Sequence, residues 1–148
     1  MFSIVNRLKQ KRVPKLPFAS IADKILGPKY ELGLVFVEPA EIQTINKKYR
    51  HHDYPTNVLS FPLTEKEGEI LINLVRAKEE APDFDHDFKN HLLFLFIHGC
   101  LHLKGLRHSS IMVKEEKRFF QLFRINVTPN HHRSGYRHGL TPSRRVRI

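Results

Sequence analysis

The sequence predicts an α/β fold, a single small domain in which a mixed sheet of about four strands carries helices packed on it. Three observations predict this. The chain has 148 residues, of which 41% are hydrophobic, enough for one core and one domain. Strand-like and helix-like segments follow one another in the order βαβαββαα, the pattern of strands covered by helices. The stretch from Leu92 to Ile97 is apolar on every side, so the helix that contains it belongs at the centre of the molecule.

The elements follow in chain order. Phe2 to Val5 reads as a short first strand. Phe18, Ile21, Ala22, Ile25 and Leu26 fit the i, i+3, i+4, i+7, i+8 template of a helix buried along one face, and Gly27-Pro28 stops it. Tyr30 to Val37 is nearly all apolar and rich in strand formers, the mark of an interior strand. Pro39 opens a second helix, with Ile42, Ile45 and Tyr49 as its inward stripe. Asn57 to Leu63 and Glu69 to Leu74 are two more strands, predicted to form an antiparallel hairpin with a longer loop over residues 64–68. A polar link containing Pro82 leads to the central helix, from about Asp87 to Lys104. The last helix runs from about Ile111 to Ile125, with Ser109 or Ser110 as N-cap and Met112, Phe119, Phe120 and Phe123 on its inner side.

The formal charge is +10, from 25 Lys and Arg against 15 Asp and Glu. It is unevenly placed. Residues 1–17 hold five basic residues and no acid, residues 127–148 hold five more and no acid, and all 15 acids lie between Asp23 and Glu116. Two basic ends on a neutral body suit a polyanionic partner, because each neutralised phosphate releases condensed counterions. The domain is therefore assigned to residues 1–125 and an extended basic arm to residues 126–148, whose Gly135, Gly139, Pro129 and Pro142 break any helical period. Arg133, Arg137, Arg144 and Arg145 are its candidate phosphate contacts, and Tyr136 its candidate for stacking on a base. One cysteine excludes a disulfide-stapled scaffold. The longest apolar run has six residues, far short of the roughly 18 needed to span a bilayer. With no secretory leader at its start, the chain reads as a cytoplasmic protein without membrane contact.

The chemistry concentrates in His98-Gly99-Cys100-Leu101-His102-Leu103-Lys104-Gly105-Leu106-Arg107-His108. His98 and His102 are about 40° apart on one helix face, the spacing at which two imidazoles grip one ion. Gly105 allows the left-handed turn that ends the helix, after which His108 can return beside them. Three neutral imidazoles with an open fourth position make a catalytic type of site. Ligand type selects Zn2+, one per chain, although imidazoles also accept nickel, copper or iron. Metallopeptidases share this spacing but carry a general-base Glu after the first His, where this chain has Gly99. Cys100 is about 200° from His98 and reads as a small core residue. His91, two turns earlier, reads as packed or supporting. His51, His52, His86, His131, His132 and His138 read as surface residues.

His98 to His108 resembles the H-G-x-L-H-L-x-G-x-x-H signature of the YbeY endoribonuclease family. Ile45 to Arg50 together with Pro55 to Pro62 resembles that family's second block, and Gly68 to Ile72 its third. The resemblance implies a metal-dependent endonuclease of single-stranded RNA, acting in ribosomal RNA maturation and ribosome quality control. Its implied partners are small-subunit ribosomal RNA and the ribosome or its assembly factors. It also implies that His98, His102 and His108 bind the metal and that Arg50 is the functional arginine of the cleft. A guanidinium near a metal can clamp a phosphate and offset the charge that develops in the transition state. The chain departs from the family pattern at Arg107 and Asn57, both usually Asp, which makes the cleft more positive. A metal-stabilised ribosome-assembly factor that binds RNA without cutting it is the alternative from another class.

Overall fold

A computed structural model describes residues 1–9, 12–106 and 109–125. His108, Arg107 and the basic segment 126–148, with Arg133, Tyr136, Arg137, Arg144 and Arg145, lie outside the described residues. Within them the elements are β1 (Phe2–Asn6), α1 (Phe18–Leu26), β2 (Glu31–Val37), α2 (Pro39–Arg50), β3 (Val58–Thr64), β4 (Glu67–Asn73), α3 (Leu74–Glu80), α4 (Phe88–Leu103) and α5 (Ser110–Phe123). The four strands form one mixed sheet in the order β1-β2-β4-β3. β1, β2 and β4 run parallel and β3 runs antiparallel to β4. The helical crossovers after β1 and β2 allow the parallel pairings.

Strand alternation divides the core between the two faces. Leu32, Leu34, Phe36, Val58, Ile70 and Ile72 pack with α1, α4 and α5 in the main cluster. Val35, Val37, Leu59 and Leu71 face the other way and pack with Ile42, Ile45 and Phe61. The histidine-bearing helix α4 thus lies on one face and α2 on the other, with β3 at one edge of the sheet. Leu92, Leu93, Leu95, Phe96 and Ile97 are fully buried, as a helix apolar all round requires. Among the described residues no helix is long and apolar enough to cross a membrane.

Three local expectations need correction. The hairpin is tight rather than long, since β3 ends at Thr64 and β4 starts at Glu67. Neither turn residue adopts positive φ, as the favoured two-residue turns would require, and the pairing instead shifts register between Pro62 and Thr64. The stretch read as a polar link contains α3 and a 3-10 turn over Ala81–Phe84. Asn73 caps α3 by accepting from the Arg76 amide, and only Leu74, Ala77 and Glu80 turn inward, too short a stripe to register as a period. Tyr49 does not complete an inward stripe: it is 55% exposed. α2 reaches the sheet through Ile42 and Ile45, and by its last turn the aromatic contact available is Phe61 on edge strand β3.

A buried polar network closes one end of the domain. Glu80 Oε2 accepts from Asn57 Nδ2 at 2.9 Å and pairs with His91 Nε2 at 2.7 Å, with Arg76 Nε 3.4 Å from Glu80 Oε1. His91 Nδ1 lies 3.0 Å from His86 Nδ1; one hydrogen serves that contact, so at least one ring is neutral. Asn57 is therefore a donor to a buried carboxylate. His86, expected on the surface, is half-buried and ring-stacked on Phe84. Burial, and next His91, lower its pKa from 6.5 to about 4, assisted by Arg124 and opposed by Asp87. Between those values the unfolded chain binds a proton that the folded one refuses. His86 thus contributes stability that is present above pH 6.5 and lost as pH falls toward 4. Chemical unfolding at pH 7, 5.5 and 4.5 should show the wild type losing stability over this window and His86→Gln losing less; parallel profiles would reject the assignment.

Candidate active site

The described part of the site is built on the C-terminal half of α4. Asp87 caps this helix by accepting from the Asn90 amide. At the other end Leu106 N donates to Leu101 O and Gly105 N to His102 O, with Gly105 at φ +103°. These are the paired bonds of a Schellman motif, and they need the left-handed residue that glycine supplies. The expected helix end and reversal are therefore present, immediately before residues 107 and 108.

His98 is buried and His102 half-buried, and their ring centroids lie 4.6 Å apart, as one helical turn dictates. Glu116, reaching across from α5, holds Nδ1 of His98 through its Oε2. With Nδ1 engaged, the nitrogen that can face an ion is Nε2. A carboxylate behind an imidazole fixes its ring and tautomer and raises its basicity, the usual support of a metal-ligating histidine. The donor chemistry therefore fits a metal. Among the described residues no cluster of three or more His, Cys, Asp or Glu has metal-holding geometry. His98 and His102 are two of the three expected donors, and the third, His108, lies outside them.

Glu116 is the functional candidate that sequence reasoning missed. Its signal was present: Met112, Glu116 and Phe119 are the buried residues of α5, which makes Glu116 an acid on the inner stripe of an amphipathic helix. Such a group requires a buried partner, and His98 is that partner.

Gly99 explains why the peptidase spacing lacks its acid. A Cβ at Gly99 would meet Ile70 Cδ1 at 3.0 Å and Ser60 Oγ at 3.1 Å, so this side of α4 lies directly on the sheet. A Glu there would push Ile70 and Ser60 off their places, and with Gly99 in the position the metallopeptidase alternative has no general base. Cys100 is fully buried, as expected of a core residue, and burial pushes its thiol far up, out of the reactive range.

Arg50 closes α2 and remains exposed, but it is not loose. Its Nη2 donates to Ser60 O at 2.7 Å, and its Cζ lies 4.7 Å from the centre of the Phe61 ring. Ser60 Oγ in turn donates to Gly99 O at 3.1 Å. One strand residue therefore fixes Arg50 through its carbonyl and α4 through its hydroxyl, one position from His98. This gives Ser60 a positioning role that its place in a motif block did not reveal.

A mixed sheet, a supported imidazole pair at the end of a buried helix, and a fixed guanidinium linked to it make a small α/β domain whose candidate site combines metal-ligand chemistry with a cation suited to phosphate. Residues 4–124 match the family model described as Endoribonuclease YbeY. Endoribonuclease YbeY of Halalkalibacterium halodurans is 38% identical, over 66% of this chain and 70% of the relative. Endoribonuclease YbeY of Mycoplasma capricolum is 40% identical, over 80% of this chain and 83% of the relative. The solution structure of TM1509 from Thermotoga maritima aligns with a TM-score of 0.59 and 29% identity, over 82% of this chain and 87% of that one. The chain belongs to the YbeY endoribonuclease family, as the three sequence blocks implied.

Proposed function

We propose that this protein is a single-strand-specific endoribonuclease that holds one zinc ion on His98, His102 and His108 and acts in the cytoplasm on small-subunit ribosomal RNA, in maturation and quality control. The observation that carries this reading is the supported imidazole pair, tied through Ser60 to Arg50. When bound, zinc supplies Lewis acidity and lowers the pKa of a coordinated water to about 7.

The chain's own residues do the rest. Glu116 holds the His98 ring in one tautomer and orientation. The guanidinium of Arg50, with one nitrogen committed to Ser60 O, has others left to donate to phosphate oxygens. A charge prearranged in this way stabilises the extra negative charge that develops as the phosphodiester is attacked. A splayed strand brings its phosphorus to such a cleft more readily than a duplex does. The acid-free segment 126–148 serves in this reading as an arm that captures backbone without reading sequence.

Cleavage of an unstructured RNA should stop when the protein is stripped with a chelator and return with stoichiometric zinc, elemental analysis giving one ion per chain. Slow RNA loss that is unchanged by chelation would signal a contaminating nuclease and favour a factor that binds without cutting.

A further inference from the structure

The last turn of α2 carries an aromatic surface that neither the core nor the metal chemistry uses. Tyr49 is 55% exposed, although its place in the helix period is that of an inward residue. Its ring lies 5.7 Å from that of Phe61 at 70°, so Phe61 props it from one side while about half of the residue stays exposed. Cations flank the pair. Lys48 Nζ lies 5.2 Å from the Tyr49 ring centre, and the Arg50 guanidinium covers Phe61. Lys47 is engaged with Asp53, whereas among the described residues neither Lys48 nor Arg50 has a carboxylate within ion-pair distance.

We propose that the Tyr49 ring, braced by Phe61, is a stacking platform for one unstacked base of the RNA strand, with Lys48 and Arg50 on the adjoining phosphates. The occupant follows from the chemistry. A half-exposed ring with the Lys48 ammonium over it and Arg50 over the Phe61 ring beside it, neither cation paired with a described carboxylate, matches a base flanked by phosphates. The flexible lysine moves onto a phosphate as the base takes its place, as in single-strand sites that combine stacking with a positive groove. A duplex cannot offer that ring a base, because its bases are already stacked on both faces. Position supports the same occupant: Phe61 follows Ser60, the residue that joins Arg50 to the His98 helix. A base held there places the neighbouring phosphate at Arg50. The platform rests on the single-strand endoribonuclease reading and adds to it the element that selects single strands.

The test uses the full-length, zinc-loaded protein and a fluorescent 2′-O-methyl RNA oligomer, alone and annealed to its complement. The methyl groups remove attack by the ribose 2′-OH, and a denaturing gel verifies the oligomer's integrity after each titration. Tyr49→Leu should weaken single-strand binding about 5- to 100-fold, whereas Tyr49→Phe should stay within about twofold of wild type, since a base stacks on either ring. The slope of log affinity against log salt should be unchanged in Tyr49→Leu and should fall by about 0.7 in Lys48→Ala. Wild-type-like binding by Tyr49→Leu, with single strands still preferred over duplex, overturns the platform alone. Equal weakening by Leu and Phe also overturns it, because the hydroxyl rather than the ring face would then be the contact. Equal wild-type affinity for single strand and duplex overturns the single-strand reading, and the platform with it. If Tyr49→Leu unfolds, a 2-aminopurine base walked along the oligomer decides on the wild-type protein: one position should change in fluorescence on binding, and no change at any position rejects the platform.

Discussion

Arg50→Ala should cut RNA about 100- to 1,000-fold more slowly than wild type under single-turnover conditions, the usual consequence of losing one prearranged donor to a developing negative charge. The loss should fall mainly on the cleavage step, because the basic surfaces that collect the strand remain. Its fold should be intact, since Arg50 is exposed and surface changes of this kind usually move stability by less than about 0.5 kcal/mol. Arg50→Lys should recover only part of the rate. A single ammonium cannot reproduce the planar fork that donates to Ser60 O, lies over Phe61 and still addresses a phosphate. An Arg50→Ala protein that cleaves at the wild-type rate would remove the residue from the mechanism.

Glu116→Ala should weaken zinc binding about 10- to 100-fold, the range found when the partner behind a ligating histidine is removed, with Glu116→Gln nearer the lower end. Glutamine keeps an oxygen that can accept from His98 Nδ1 but not the charge that makes the imidazole a stronger ligand. Competition with a chromogenic chelator reads this directly, without reference to cleavage. Equal zinc affinity in wild type and both variants would show that the His98–Glu116 contact only packs α5 on α4. The contact also bears on the acid missing at position 107. Where the family pattern usually has Asp, this chain has Arg107, yet α5 supplies a carboxylate to His98.

Much of the architecture was legible because local rules and tertiary packing agree. The amphipathic stripe of α1, the apolar run of β2, the all-round apolar centre of α4 and the Ser109 cap of α5 each appear where their residues place them. The misreadings share one cause. α3 buries only three residues in seven, and Tyr49 occupies an inward phase but meets Phe61 of edge strand β3 and stays 55% exposed. Period reports which way a side chain points, not whether anything stands there to cover it. His86 illustrates the same point among polar groups: a histidine between two aspartates reads as solvated, and only the approach of Phe84, His91 and Phe120 half-buries it.

The element order, the central helix, the one-turn spacing of His98 and His102 and the glycine reversal after them can be read from the residues alone, because each depends on positions only a few apart. Which groups meet across distance emerges only on packing: Glu116 behind His98, Ser60 between Arg50 and Gly99, Asn57 against Glu80 and Tyr49 against Phe61. Such contacts join separate elements, and their geometry is set only when the two faces of the sheet are packed.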